Sequence, residues 1–360
     1  MSGQRLAKPN KSLLWLALAF SLPASCWIHS LCAQTTPPVP TPIEERFHTL
    51  EQSLNFTDQQ VRKNLDDVLW FRLLEDIARV DRIRYAGPAG AKPANPNPQG
   101  PKNSLFIPAY TFLPKKFHWG KLPLLVLVHG EVHGDFNTRD WAHVVRELVE
   151  QGYAVIAPDY RGSTGYGRDY FEMIDYGGLE VEDVFLAREW MVQNVASIDS
   201  KRVGILGWSH GGMITLLNIF QHSRSFQAAY TGMPVSDLEL RVKYRGKPFQ
   251  DLLAAPFHIG KTFAQDPDEY RRRSPVTYAA KLEIPLLVHG VSNDVDVKLM
   301  EIEKLAEALK NAGKSFESKI YTNAPGGHCF NLMDTSEAKD SRREVYRFLA
   351  RYLRPPSPPK

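Results

Sequence analysis

Residues 203–217 read Val-Gly-Ile-Leu-Gly-Trp-Ser-His-Gly-Gly-Met-Ile-Thr-Leu-Leu. The opening four residues are short-branched and apolar, the composition of a buried parallel strand. From Met213 the apolar positions continue as a helix. Between them, Gly207-Trp208-Ser209-His210-Gly211 leaves room only for a sharp strand-to-helix turn. A serine at the apex of such a turn is held in a strained backbone conformation with its hydroxyl projecting, and the flanking glycines let strand and helix pass close to each other. The helix N-terminus directs free N–H groups and the positive end of its dipole to where a negatively charged oxygen could develop. Ser209 is therefore the candidate nucleophile, and the backbone N–H of His210 a candidate oxyanion donor.

Working outward, short apolar runs at 124–128, 154–157 and 286–288 read as further buried strands. Helical patterns at 138–151, 179–194, 212–222, 299–311 and 337–353 alternate with them. Strands alternating with helices of this length predict an α/β, doubly wound, mostly parallel sheet with helices on both faces. Chemistry in such sheets sits at the carboxyl ends of the strands. A serine hydroxyl needs a base and an acid that orients the base. After the strand 286–288 comes His289-Gly290-Val291-Ser292-Asn293-Asp294-Val295-Asp296, which offers Asp294 as the acid with Asp296 as its competitor. His328 follows in the glycine-rich loop Asn323-Ala324-Pro325-Gly326-Gly327-His328 and is the candidate base. Serine, acid and histidine then run in the chain order of α/β-hydrolases.

Several segments in one order carry a more specific resemblance: Pro158-Asp159-Tyr160-Arg161-Gly162-Ser163-Thr164-Gly165-Tyr166-Gly167, the serine turn with its doubled glycine, Arg273-Ser274-Pro275-Val276, Pro285-Leu286-Leu287-Val288-His289-Gly290, and Gly327-His328-Cys329-Phe330. From about Ile107 onward the chain resembles the catalytic domain of the prolyl oligopeptidase family of serine peptidases. The resemblance implies the α/β-hydrolase fold, with Ser209, Asp294 and His328 as nucleophile, acid and base. It implies a second oxyanion donor at His129, in the post-strand loop His129-Gly130-Glu131-Val132-His133-Gly134, where Glu131 and Val132 replace the family's usual Gly-Pro. Larger members carry an N-terminal β-propeller, and nothing in this sequence has the repeats to form one.

The N-terminal third reads differently. Basic residues Arg5, Lys8 and Lys11, an apolar run at 13–20 and small residues up to Ala33 have the layout of a secretory signal peptide over 1–34. The run is too short for a membrane span. A Pro/Thr-rich linker, an amphipathic helix and a loop fill 35–103. Thr57 to Gln60 reads as the capping box of that helix, and Val61, Leu65, Val68, Leu69, Leu73, Ile77 and Val80 as its apolar face. The catalytic domain is expected over 104–355, and within it 236–270, with Tyr244, Phe249, Phe257 and Phe263, reads either as a cap over the site or as plain packing.

A net charge of +4 and no basic block beyond Arg271-Arg272-Arg273 give no nucleic-acid footprint. His129 and His133 lack the His-Glu-x-x-His pattern of a zinc helix, so no metal is expected. Cys329 is read as a small residue packed under its loop. The expectation is an exported hydrolase that needs no cofactor, cleaves peptide bonds through an acyl-enzyme, and has no integral membrane domain after signal cleavage. A carboxylesterase acting on small acyl esters shares every one of these residues, and a binding protein on the same fold is the reading of another class.

Overall fold

In the computed structural model the described residues are 43–89, 104–117 and 120–359, so the expected signal peptide and linker lie outside them. The chain divides after Arg46, and the fold is that of the unit Phe47–Lys360. Eight strands occur among the described residues: β1 (Ala78–Ala89), β2 (Ser104–Pro114), β3 (Leu122–Val128), β4 (Ala154–Pro158), β5 (Ile198–Trp208), β6 (Ala228–Gly232), β7 (Leu286–Val291) and β8 (Glu317–Tyr321). The helices are α1 (Ile43–Leu74), α2 (Thr138–Glu150), α3 (Arg168–Phe171), α4 (Leu179–Asn194), α5 (His210–Gln221), α6 (Leu238–Arg245), α7 (Lys247–Ala254), α8 (Pro267–Arg272), α9 (Leu299–Asn311) and α10 (Ser336–Leu353).

All eight strands form one sheet in the order β1-β2-β4-β3-β5-β6-β7-β8. β1, β2 and β4 are antiparallel neighbours, and from β4 onward every pairing is parallel. This is the α/β-hydrolase fold that the alternating pattern predicts. β3 and β4 are buried along their whole length, as strands covered on both faces must be. One face packs on residues of α4, α5 and α9, the other on residues of α1, α2 and α10. α2 starts at Thr138 because Asn137 accepts a hydrogen bond from the Asp140 N–H, and α10 starts at Ser336 because Thr335 accepts one from Ala338.

The expected N-terminal helix is corrected at both ends. It begins at least fourteen residues before Thr57, whose hydroxyl donates to the Ser53 carbonyl inside the helix and caps nothing. Ile77 and Val80 lie beyond its end, with Val80 in β1. Ala78-Arg79-Val80-Asp81 alternates apolar with charged, the period of a half-buried strand, and Val80 falls in helical phase with Leu73 only by coincidence. The sheet therefore reaches back past residue 104, where the sequence pattern places the start of the catalytic domain. The face expected to be buried, Val61, Leu65 and Val68, is exposed, and the residues that α1 buries are Lys63, Trp70 and Leu74.

Candidate active site

β5 delivers Trp208 to the carboxyl edge of the sheet and α5 leaves at His210, so Ser209 makes the whole turn alone. Its φ of 56° lies in the left-handed region that non-glycine residues avoid. The strain is held in place by two backbone bonds, Ser209 N–H to Gly232 O at 2.9 Å and Met213 N–H to Ser209 O at 3.0 Å. A Cβ on Gly211 would overlap the backbone carbonyls of Val128 and His129. Gly211→Ala is therefore expected to push the helix off β3, with little soluble protein recovered and a thermal midpoint well below that of the parent.

The η-type turn Gly327–Leu332 places His328 over this apex. Its Nε2 is 2.9 Å from Ser209 Oγ, and its Nδ1 is 2.7 Å from Asp294 Oδ2. The other Asp294 oxygen accepts the N–H groups of Asp296 and Val297 at 2.8 and 2.9 Å. Asp294 thus has one oxygen for the imidazole and one fixed by backbone. Asp296, its competitor in the sequence, lies on the opposite side of the ring, with Oδ2 3.5 Å from Nε2. Its carboxylate is paired with Arg245 at 2.7 Å and Arg241 at 3.4 Å.

His210 opens α5, so its N–H has no intrahelical acceptor. The His129 ring is buried, 2.8 Å from Gly130 O and 3.0 Å from Ser163 Oγ, and it stacks on Tyr160 with ring centres 4.2 Å apart. The turn that follows approaches the serine: a Cβ built on Gly130 would lie 3.4 Å from Ser209 Cβ. Glu131 has a φ of 62°, and the Tyr160 hydroxyl donates to its carbonyl at 2.9 Å. A cavity of about 160 Å³ opens beside Ser209, lined among others by Gly130, Glu131, Arg139, Trp141, His328 and Cys329. Cys329 is exposed on its rim, a correction to the expected packing under the loop, because the backbone turns Phe330 inward in its place. Partial burial nevertheless raises the pKa of the thiol.

Buried charge fixes the loops around the site. Lys63 reaches from α1 to Asp159 at 2.6 Å, and also donates to the Phe136 carbonyl at 3.0 Å. Burial works to raise the pKa of the Asp159 carboxyl, yet Lys63 and His129 leave it below its ordinary value. Arg161 grips Asp183 through two 2.7 Å bonds. Glu180 lies 3.4 Å from His210 Nε2; desolvation opposes its charge, but His210 and the Gly177 amide bring its pKa down to about 2. Nothing in the sequence pattern marks Lys63 or Glu180, since each meets its partner only through the fold. Removing Lys63 leaves a dry, unmatched carboxylate. Lys63→Met is expected to cost about 3–5 kcal/mol of stability, read as a fall of roughly 6–15 °C in thermal midpoint.

Residues 236–270 hold α6, α7 and the start of α8, and their aromatics divide between two roles. Phe249 packs beneath the guanidinium groups of Arg241 and Arg245, and Phe263 packs edge-on against Tyr270. Phe257 instead sits 6.4 Å from the ring of His133, whose Nε2 is 3.0 Å from His258 Nε2. Desolvation brings the pKa of His129, His133 and His289 each down to about 4. These groups stay neutral in the fold while an unfolded chain would protonate them near pH 6.5. Stability is therefore expected to be full above that value and to fall as pH drops from about 6.5 towards 4. His289→Gln should flatten this slope in a series of thermal melts against pH.

Residues 140–355 match the prolyl oligopeptidase family. Over 204 residues the chain is 31% identical to the uncharacterized peptidase YuxL of Bacillus subtilis (strain 168), covering 56% of this chain and 30% of that protein. It is 25% identical over 277 residues to the acylamino-acid-releasing enzyme of Homo sapiens, covering 75% and 35%. Among solved structures, a Mycobacterium tuberculosis puromycin-hydrolyzing peptidase superposes with a TM-score of 0.63 at 26% identity, covering 77% of this chain and 39% of that one. An acylaminoacyl peptidase in complex with Z-Gly-Gly-Phe-chloromethyl ketone gives a TM-score of 0.65 at 20% identity, over 79% and 43%. The chain spans about a third of the length of the curated relatives it matches. The family match spans most of the sheet, on an α/β-hydrolase scaffold, and settles the family: the chain belongs to the prolyl oligopeptidase family of serine peptidases.

Proposed function

We propose that the protein cleaves peptide bonds through an acyl-enzyme, with Ser209 as nucleophile, His328 as base and Asp294 as the acid that orients it. The observation that carries this reading is the unbroken hydrogen-bond chain from Asp294 through His328 to Ser209, at 2.7 and 2.9 Å. His328 Nε2 accepts the hydroxyl proton as Oγ attacks the carbonyl carbon. The charge that forms on the imidazole faces Asp294, and the same nitrogen then gives the proton to the leaving amine. The tetrahedral oxyanion takes the N–H of His210 and a second N–H from the Gly130–Glu131 turn. The buried His129 ring holds that turn through the Gly130 carbonyl, so its part is positioning. Water then attacks the acyl-enzyme carbonyl as His328 Nε2 takes its proton, and collapse of the second tetrahedral intermediate releases the carboxylic acid and returns the proton to Ser209 Oγ.

The substrates are short peptides, read from the relatives that release acylated amino acids or hydrolyse puromycin. Export follows from the first 34 residues, which lie outside the described structure. Among the described residues no helix is long and apolar enough to cross a membrane. The test compares turnover of N-acyl peptide anilides with that of matched short acyl esters by the purified protein. Measurable amide turnover supports the peptidase, whereas turnover of esters alone would replace it with a carboxylesterase.

A further inference from the structure

α1 is apolar on two opposite faces. The inner one is spent on the catalytic unit: Trp70 and Leu74 are buried, and Phe56 meets Phe171 edge-on with ring centres 5.5 Å apart. The outer one carries Phe47, Leu50, Leu54, Val61, Leu65 and Val68, exposed by 61, 54, 61, 61, 57 and 65%. At about 100° per residue these six positions fall within about 60° of one another around the helix, and nearly opposite Lys63 and Trp70. Burying a side chain of this size removes roughly 100 Å² of apolar surface from water. The stripe thus reaches the upper end of the roughly 300–600 Å² seen for the largest apolar patch of a typical monomer. Two such stripes together amount to roughly 1,200 Å², the size at which specific interfaces begin.

The order of residues along the stripe says what fits it. The spacing from Phe47 to Val68 is the same in either direction about the point between Thr57 and Asp58. A second α1 laid antiparallel across it, on a two-fold axis at that point, sets Phe47 against Val68 of the other copy, Leu50 against Leu65, and Leu54 against Val61. Every stripe side chain then meets another, which one self-complementary surface achieves without a different partner. Charge agrees: Glu51 and Arg62 flank the stripe on one side, and the same overlay brings Glu51 of each copy beside Arg62 of the other. Arg62 also reaches Asp58 of its own helix at 2.7 Å, an exposed pair worth little by itself. A lipid surface suits the helix less well, because Glu51 and Asp58 stand beside the stripe, where surface-bound helices are rich in Lys and Arg.

We propose that the protein self-associates through this outer face of α1, as an antiparallel, two-fold helix pair centred between Thr57 and Asp58. The full chain is examined by sedimentation velocity over a concentration series, beside Leu54→Glu/Val61→Glu, whose sites are exposed and lie outside the lining of the cavity beside Ser209. The parent should show a concentration-dependent dimer, and the double variant should be monomeric throughout with ester turnover within about twofold of the parent. Glu51→Arg should weaken the dimer roughly tenfold through two lost pairs and two repulsions, and adding Arg62→Glu should restore it. A parent that stays monomeric overturns the proposal, and so does a double variant that still dimerises. Failure of Arg62→Glu to rescue Glu51→Arg overturns the antiparallel register. Binding of a monomeric parent to neutral phosphatidylcholine vesicles would assign the stripe to lipid instead.

Discussion

Ser209→Ala should lower kcat/KM by about 10⁴–10⁶, the range seen when the nucleophile of a triad is removed. At 1.36 kcal/mol per factor of ten that is about 5–8 kcal/mol of transition-state stabilisation. The loss is that large because, among the described residues, Ser209 Oγ is the hydroxyl bonded to His328 Nε2, at 2.9 Å. Folding should survive. The residue's positive φ is held by its N–H bond to the Gly232 carbonyl and by the bond its carbonyl accepts from the Met213 N–H, which involve only backbone, and alanine makes the same ones. A fluorophosphonate probe should label the parent once per active chain and the variant not at all. Labelling of the variant at the parent's stoichiometry would remove Ser209 from the role assigned to it.

Asp294→Asn should be nearly as damaging in kcat, by about 10⁴. Asparagine can keep its carbonyl oxygen where Asp294 Oδ1 now accepts the Asp296 and Val297 N–H groups. Its NH₂ then points at His328 Nδ1 and forces the ring proton onto Nε2, the atom that must accept from Ser209. Asp296→Asn should cost less than about tenfold, because that carboxylate meets Nε2 only at 3.5 Å and is already matched by Arg245 and Arg241. Two variants of one loop, differing only in which carboxylate is lost, separate the roles by the ratio of their kcat values. Equal losses would mean that the two acids share the imidazole.

The serine turn, the parallel strands after it and the post-strand loops that carry Asp294 and His328 were legible because each is written in a handful of neighbouring residues. Choosing between Asp294 and Asp296 was not, since both follow the same strand and only the turn at Val297 decides which side of the imidazole each occupies. The shape of the turn after His129 was obscured for another reason. Glu131 stands where a glycine is expected, yet its backbone takes a positive φ regardless, and residue type alone does not report that. β1 was hidden by the overlap of two periods at Val80, and the exposed face of α1 looked like a core because spacing shows which residues share a face but not what covers it. Lys63 with Asp159 is a pairing of distant segments that only the assembled sheet makes.

Among the described residues the sheet ends on β1 at one margin and β8 at the other, and both are guarded. β1 sets Arg79, Asp81, Arg82 and Arg84 along one, and β8 sets Glu317 and Lys319 along the other. Charged side chains at a free strand discourage another chain from adding to the ladder. Growth strand by strand, the route to open-ended aggregates, is thereby discouraged at either margin. Pairing through α1 about a two-fold axis is closed once made. Concentrated preparations should accordingly stop at two copies and remain clear, with no binding of amyloid-reporting dyes.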